Sequence, residues 1–369
     1  MKARGAYIHS AEVLLPLGSG LNAAFDAMES DDCVWEYRSV GPEGRRFPCM
    51  AFTQEQKEAI APAGTVFLDA LLAKVSAMLL HKMGLASFPP DTLLVLCTTK
   101  ADIEAPDLPS KQLWHTAAKL AAQLELHTEP VVVSSACISG VSGVTLAAQY
   151  IRGGTCDRAL VLGADLLTDF VLSGFYSFKA MSAELCRPYD AARDGLNLGE
   201  GAAALYLDAQ REGAQAEVLG YAQSNDANHI SGPSRTGEGL AIAVRSALQQ
   251  AGARMEEIGF ISAHGTATPY NDEMESLALE SCAAGDIPVT GFKAFTGHTL
   301  GAAGVIELAF CLESMRRNRV IPNPRVKDAA LGGSIYVTHP LTEKPVNKVL
   351  KTASGFGGCN AAIVIGKIC

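Results

Sequence analysis

A chain of 369 residues, 48% hydrophobic and 19% charged, can bury a large core and is long enough for two domains, which excludes a disordered or fibrous protein. A formal net charge of -9 argues against nucleic acid as a partner, because a phosphate backbone demands a dense Lys/Arg face. The ten cysteines form no C-x-x-C pair and no stretch is long and apolar enough to span a bilayer, so neither a metal or disulfide framework nor membrane insertion is expected, and a reducing cytoplasm is.

From the N-terminus, Ala6 to Pro16 reads as a strand rather than a signal peptide, since His9, Ser10 and Glu12 break its apolar run. Leu21 to Met28 follows as a short helix, Asp31 to Phe52 as an irregular region, and Phe67 to Met83 as a helix stopped by Gly84. Strand Thr92 to Cys97, loop Lys100 to Pro109, helix Gln112 to Leu124 and a strand at Val131 make a crossover unit of the kind parallel strands require. A helix from Ser142 to Ile151 and a continuous apolar strand, Arg158 to Ala164, come next. Leu166 to Gly201 is less regular and carries two polar turns; strand Ala202 to Leu207 closes this part.

Arg211 to Ala214 reads as the hinge between halves, 1–210 and 211–369. The second half repeats the order of elements: strand Ala216 to Gln223, helix Leu240 to Ala251, strand Ile258 to Ala263, helix Glu273 to Cys282, strand Pro288 to Phe292 and helix Ala302 to Met315. Strands Lys348 to Ala353 and Ala361 to Gly366 end it, so the class is α/β. The short basic cluster Arg316, Arg317 and Arg319 ends a helix, where it complements the dipole or offers an acidic partner a local contact.

The chemistry centres on Val131 to Gly143, VVVSSACISGVSG. A buried strand turns sharply and delivers Cys137 to a helix start, where free N–H groups and the helix dipole favour a thiolate. Two histidines sit at strand ends in the second half, in His264-Gly-Thr-Ala-Thr-Pro269, with Asn271 or Asp272 as the next helix cap, and in Lys293-Ala-Phe-Thr-Gly-His298. Ends of parallel strands are where open α/β folds place their sites, so both histidines can converge on Cys137. The turn Gly355-Phe-Gly-Gly358 can complete an oxyanion hole with the N–H of Cys137.

These segments, together with Arg187 to Gly201, resemble the elongating β-ketoacyl-acyl carrier protein synthases of the thiolase superfamily. The resemblance implies a thiolase fold, two similar halves forming a five-layered αβαβα core, usually dimeric. It implies decarboxylative condensation of a malonyl thioester with an acyl chain held on Cys137, with His264 and His298 on the developing enolate. It makes Lys293 the active-site lysine, Glu307 a supporting acid, and Cys137 and Phe356 the oxyanion hole. Thr266, Thr268, Phe356, Phe175 and Ile138 are implied to contact substrate. The implied partners are acyl carrier protein and an identical or related subunit; no cofactor is bound beyond the carrier's phosphopantetheine.

Three positions depart from the family pattern. The expected glycine-rich loop near Thr98 to Ile103 reads TTKADI, Ala353-Ser354 lacks the usual phenylalanine, and Cys359 replaces a threonine. The smaller gate points to a stiffer or bulkier acyl chain, such as a conjugated polyene. Alternative readings are a non-catalytic chain-length partner, disfavoured because Cys137, His264, His298 and Lys293 are all present, and a non-decarboxylating thiolase.

Overall fold

The structure, a computed structural model, describes residues 4–226 and 232–368. Five strands of the first half are β1 (Tyr7–Leu15), β2 (Leu93–Cys97), β3 (Val131–Val133), β4 (Arg158–Asp165) and β5 (Gly201–Asp208). They lie in the order β3-β2-β4-β5-β1, the first three parallel and β5 antiparallel to both neighbours. The second half has β6 (Ala216–Asn225), β7 (Phe260–Ser262), β8 (Pro288–Thr290), β9 (Lys348–Gly355) and β10 (Cys359–Lys367). Their order, β8-β7-β9-β10-β6, repeats the first with the same strand directions. The two arrays meet where β1 pairs with β6, Tyr7 opposite Glu217.

The main helices of the first half are α1 (Leu21–Ser30), α2 (Phe67–Met83), α3 (Leu113–Gln123), α4 (Ser139–Gly153) and α5 (Asp169–Ser177). Those of the second are α6 (Glu238–Ala251), α7 (Pro269–Ser281), the single turn α8 (Lys293–Thr296) and α9 (Ala303–Arg317). Strand side chains alternate between two apolar layers, as a period of two requires. Val95, Val161, Leu205, Val349 and Ile363 face a central core that also holds α4 and α9. Leu94, Leu96, Leu160 and Leu162 face outward onto α2 and α3, while Leu350, Ala362 and Val364 face outward onto α6 and α7. That gives the five layers expected, helix, sheet, helix pair, sheet, helix. Continuous apolar strands are the sequence consequence of covering both faces.

The central helices touch through glycine. A Cβ on Gly140 would lie 2.5 Å from the Val305 nitrogen, and one on Gly304 would lie 2.4 Å from the Val141 nitrogen. Each helix therefore begins with a residue that only hydrogen can occupy, at equivalent places in the two halves.

Several expectations change. Asp31 to Phe52 holds an antiparallel ladder, Glu36–Val40 against Arg45–Met50, and Leu166 to Gly201 holds α5. Both were hidden because their apolar faces are short. The basic cluster is turned inward: Arg317 pairs with Asp26, Glu29 and Glu313, and Arg319 with Glu29 and Glu343, which ties α1 to the end of α9. Nine cysteines are free thiols, and Cys369 lies outside the described residues. Among the described residues no helix is long and apolar enough to cross a membrane.

Candidate active site

Cys137 stands between β3 and α4, on a turn whose preceding residue, Ala136, has φ of +47°. A left-handed alanine is an uncommon conformation, held here because Ile138 and Ser139 donate backbone bonds to Ser135 and Ala136. The helix starts at Ser139, earlier than the sequence pattern suggested, so Cys137 lies just outside its first turn. Opposite, a Cβ on Gly355 would come 3.2 Å from the Cys137 nitrogen. The glycine turn thus packs directly against the Cys137 backbone. The N–H groups of Phe356 and Cys137 itself both face the sulfur and favour its anion.

His264 follows β7 on a loop that two acids of α7 clamp. Glu275 accepts bonds from the backbone N–H of His264 (2.7 Å) and Gly265 (2.9 Å), and Asp272 accepts from Thr266 (3.1 Å), Ala267 (3.2 Å) and Tyr189 (2.8 Å). Neither Asn271 nor Asp272 caps the helix, contrary to the sequence expectation. Pro269 opens it, as proline's fixed φ and missing N–H allow, which places Asp272 in the first turn, free to reach back to the loop. Burial pushes the Asp272 carboxyl up to about 6.

Lys293 projects from α8 and uses all three of its N–H bonds: to Glu307 Oε1 (2.7 Å), to the His264 carbonyl (2.7 Å) and to His264 Nδ1 (3.2 Å). An ammonium ion can only donate, so Nδ1 is the accepting nitrogen and the His264 proton sits on Nε2. That imidazole reaches the site as a fixed donor. His298 differs: its Nε2 lies 3.0 Å from Cys137 Sγ, whereas its Nδ1 has no hydrogen-bond partner among the described residues. Nothing locks its tautomer. Its backbone is pinned between Asn197 and Gly199, and Gly297 precedes it at φ +63°, where a Cβ would strike the Leu198 carbonyl.

Cys137, His264 and His298 are all buried, and their ligating atoms fall within 4.8 Å of one another. Burial, reinforced by the Lys293 charge, holds both imidazoles well below their usual range, so they are neutral. The thiol departs from the sequence expectation of a thiolate. Burial pushes Cys137 up to about 12, outweighing Lys293 and the facing amides. His298 Nε2, 3.0 Å away, is placed to accept its proton. Alkylation of Cys137 by iodoacetamide, followed by peptide mass spectrometry, should therefore keep accelerating from pH 7 past pH 9; a plateau near neutrality would mean a preformed thiolate.

These groups face a cavity of about 350 Å³. Thr266 and Thr268 line it, their hydroxyls 2.9 Å apart. Phe356 lines it too, stacked on Phe175 at 5.8 Å and edge-on to Phe178 at 5.5 Å, and Phe175 in turn meets the His298 ring edge. Ile138 caps α4 and packs into the central core. Ser354 lines the cavity and donates to Asn360, and Cys359 lies beside Asn225. Thr98, Thr99 and Lys100 do not form a loose loop: they wrap buried Asp165, which also accepts from the Gly301 N–H ahead of α9.

Two parts of the site escaped sequence reasoning. The α7 clamp looked like an ordinary acidic helix face, and Phe178 carried no motif. Lys351 did leave a signal: it is a lone charge inside the apolar strand β9, fully buried.

The chain matches two family models, "Beta-ketoacyl synthase, N-terminal domain" over residues 91–212 and "Beta-ketoacyl synthase, C-terminal domain" over 215–327. It is 31% identical to 3-oxoacyl-acyl-carrier-protein synthase 2 of Vibrio cholerae, over 71% of this chain and 68% of that one. It is 34% identical to the tetracenomycin polyketide synthase ketoacyl synthase alpha subunit of Streptomyces glaucescens, over 64% of this chain and 59% of that one. The matched stretches thus span about three fifths to two thirds of these relatives. Its fold is like that of a ketosynthase in complex with its chain length factor from Xenorhabdus doucetiae, with a TM-score of 0.86 at 24% identity, covering 99% of this chain and 98% of that one.

Proposed function

We infer the reaction from the family to which the chain belongs, the β-ketoacyl synthases. It is an acyltransferase that condenses a malonyl thioester with an acyl chain, both delivered on the phosphopantetheine of acyl carrier protein. The observation that carries this reading is the neutral Cys137–His298 pair, 3.0 Å apart, beside a His264 whose only available N–H points away from Lys293.

Cys137 Sγ attacks the acyl thioester while His298 Nε2 takes the thiol proton; the amides of Cys137 and Phe356 hold the oxyanion. The bond to the pantetheine sulfur breaks and His298 returns the proton to it. With the sulfur acylated, His298 can present an N–H from Nε2, since no partner fixes its other nitrogen. His264 and His298 then hold the enolate oxygen as the malonyl C–C bond breaks and carbon dioxide leaves. The new carbanion attacks the acyl carbonyl, the C–S bond to Cys137 breaks, and the thiolate takes a proton from solvent.

Thr266 and Thr268 bind the pantetheine arm, and Phe356, with Phe175 and Phe178, gates the acyl pocket. The small Ser354, where the family has a phenylalanine, supports acceptance of a stiff, unsaturated chain in fatty-acid-like or polyketide-like elongation. The two halves, 1–210 and 211–369, are supported by the repeated strand order and by the abutting family models. The chain pairs with a second copy or a related subunit through β3, which ends its sheet. Its free cysteines support a cytoplasmic setting. Incubation with acyl-loaded and then malonyl-loaded carrier protein tests the reaction: an acyl adduct on the intact protein should form and then vanish with carbon dioxide release. Competition between saturated and conjugated acyl groups tests the pocket.

A further inference from the structure

We propose that Lys351 is a positioning residue of the condensing site, a second buried ammonium ion that shares Glu307 with Lys293 and anchors the strand end bearing His264. The inference rests on the reaction above.

Lys351 lies on β9, level with Ser262 of β7 in a parallel pair. Its Nζ approaches Glu307 Oε2 at 2.7 Å, while Lys293 holds Oε1 at the same distance. It also bonds the carbonyls of Ser262 (3.3 Å), Ala263 (3.4 Å) and Thr352. Two of these are the residues just before His264. The contacts set where the imidazole leaves the sheet, and the charge sets what surrounds it.

A lysine in a fully buried strand costs several kcal/mol unless paired, and one carboxylate needs only one cation. The second charge has a use because α7 brings Glu275 behind His264. Glu275 is bonded by the N–H groups of His264 and Gly265 and by the hydroxyls of Thr352 and Tyr189, with no cation paired to it among the described residues. Lys293 and Lys351 together balance Glu307 and Glu275. Without Lys351 the ground behind the imidazoles would be one charge more negative, which favours imidazolium. The other groups facing them are the Cys137 thiol, Asp272 from α7 and, beside Lys351, the Cys311 thiol of α9. Lys351 adds to burial and Lys293 in holding both histidines below their usual range. A neutral imidazole can take the Cys137 proton; an imidazolium cannot.

The test is the pH profile of the rate at which acyl-loaded carrier protein acylates Cys137, read by intact mass, for wild type, Lys351→Met, Lys351→Gln and Lys351→Arg, beside thermal unfolding. The expected result is an acid limb moved up by about one pH unit in the methionine and glutamine variants, so that the loss approaches tenfold only on the acid side of the wild-type limb and is small at pH 8. Arginine should restore the wild-type limb. An unmoved limb, or a loss equal at all pH values, would overturn the proposal. So would failure of both neutral variants to fold, which would make the lysine purely structural. If wild type forms no acyl adduct, the reaction assignment fails; adduct formation with an unmoved limb counts against Lys351 alone.

Discussion

Replacing Cys137 by alanine should abolish the acyl adduct and lower condensation by on the order of 10⁴-fold or more, the scale of losing a nucleophile that works as a unit with its base. Carbon dioxide release from malonyl-loaded carrier protein should survive, because the enolate is held by His264 and His298, and their anchors do not involve the sulfur. The smaller side chain leaves His298 Nε2 without its 3.0 Å partner and opens room beside it. The measurement is paired: intact mass for the adduct, trapped carbon dioxide for the decarboxylation. Loss of adduct with continued decarboxylation separates nucleophile from enolate binder. Retention of the adduct in the alanine variant would place the nucleophile elsewhere among the cysteines.

Removing the carboxylate of Glu307 should do more damage to stability than any single truncation at the cavity. Lys293 and Lys351 each lie 2.7 Å from it, and both ammonium groups are buried. Glu307→Ala leaves two like charges facing each other in the core, and breaking one such buried pair already costs about 3–5 kcal/mol. A stability loss of at least that size is expected in urea unfolding, with condensation lost because Lys293 can no longer be held against His264. Glu307→Gln keeps the shape and some hydrogen bonding but not the charge, so it should recover packing without recovering full stability. A glutamine variant as stable as wild type would mean that Glu307 compensates neither ammonium charge. The direction of the Lys293 shift bears on this: burial pulls it down, and Glu307 opposes that pull.

Much of this was legible before folding was considered. The strand-turn-cysteine segment, the two histidine motifs, Lys293 and the glycine turn are local patterns, in which small residues mark places where backbone must approach backbone. Gly140, Gly304 and Gly355 bear that out, each lying against a neighbouring chain segment that a Cβ would crowd. Alternation along β2 and β4 likewise reports a sheet covered on both faces. The repeated order of elements in the two halves was readable for the same reason, since each strand and helix carries its own period.

What the sequence could not decide is the set of properties that depend on burial and on long-range partners. The helix dipole argues for a Cys137 thiolate, but the dipole is a local effect, and the enclosure that raises the thiol comes from α9, β9 and the glycine turn, all more than a hundred residues away. The tautomer of His264 follows from one lysine contact across α8, and the freedom of His298 from the lack of a corresponding one. The basic cluster at the end of α9 reads as a complement to the helix dipole or a local contact for an acidic partner, whereas its Arg317 and Arg319 are occupied by acids of α1, some 290 residues earlier in the chain. Lys351 shows the limit best. Its place in an apolar strand is written in the sequence, but that it shares a carboxylate with Lys293 behind His264 exists only because β7, β9 and α9 come together, and electrostatic energy depends on distance and burial, neither of which is a property of sequence order.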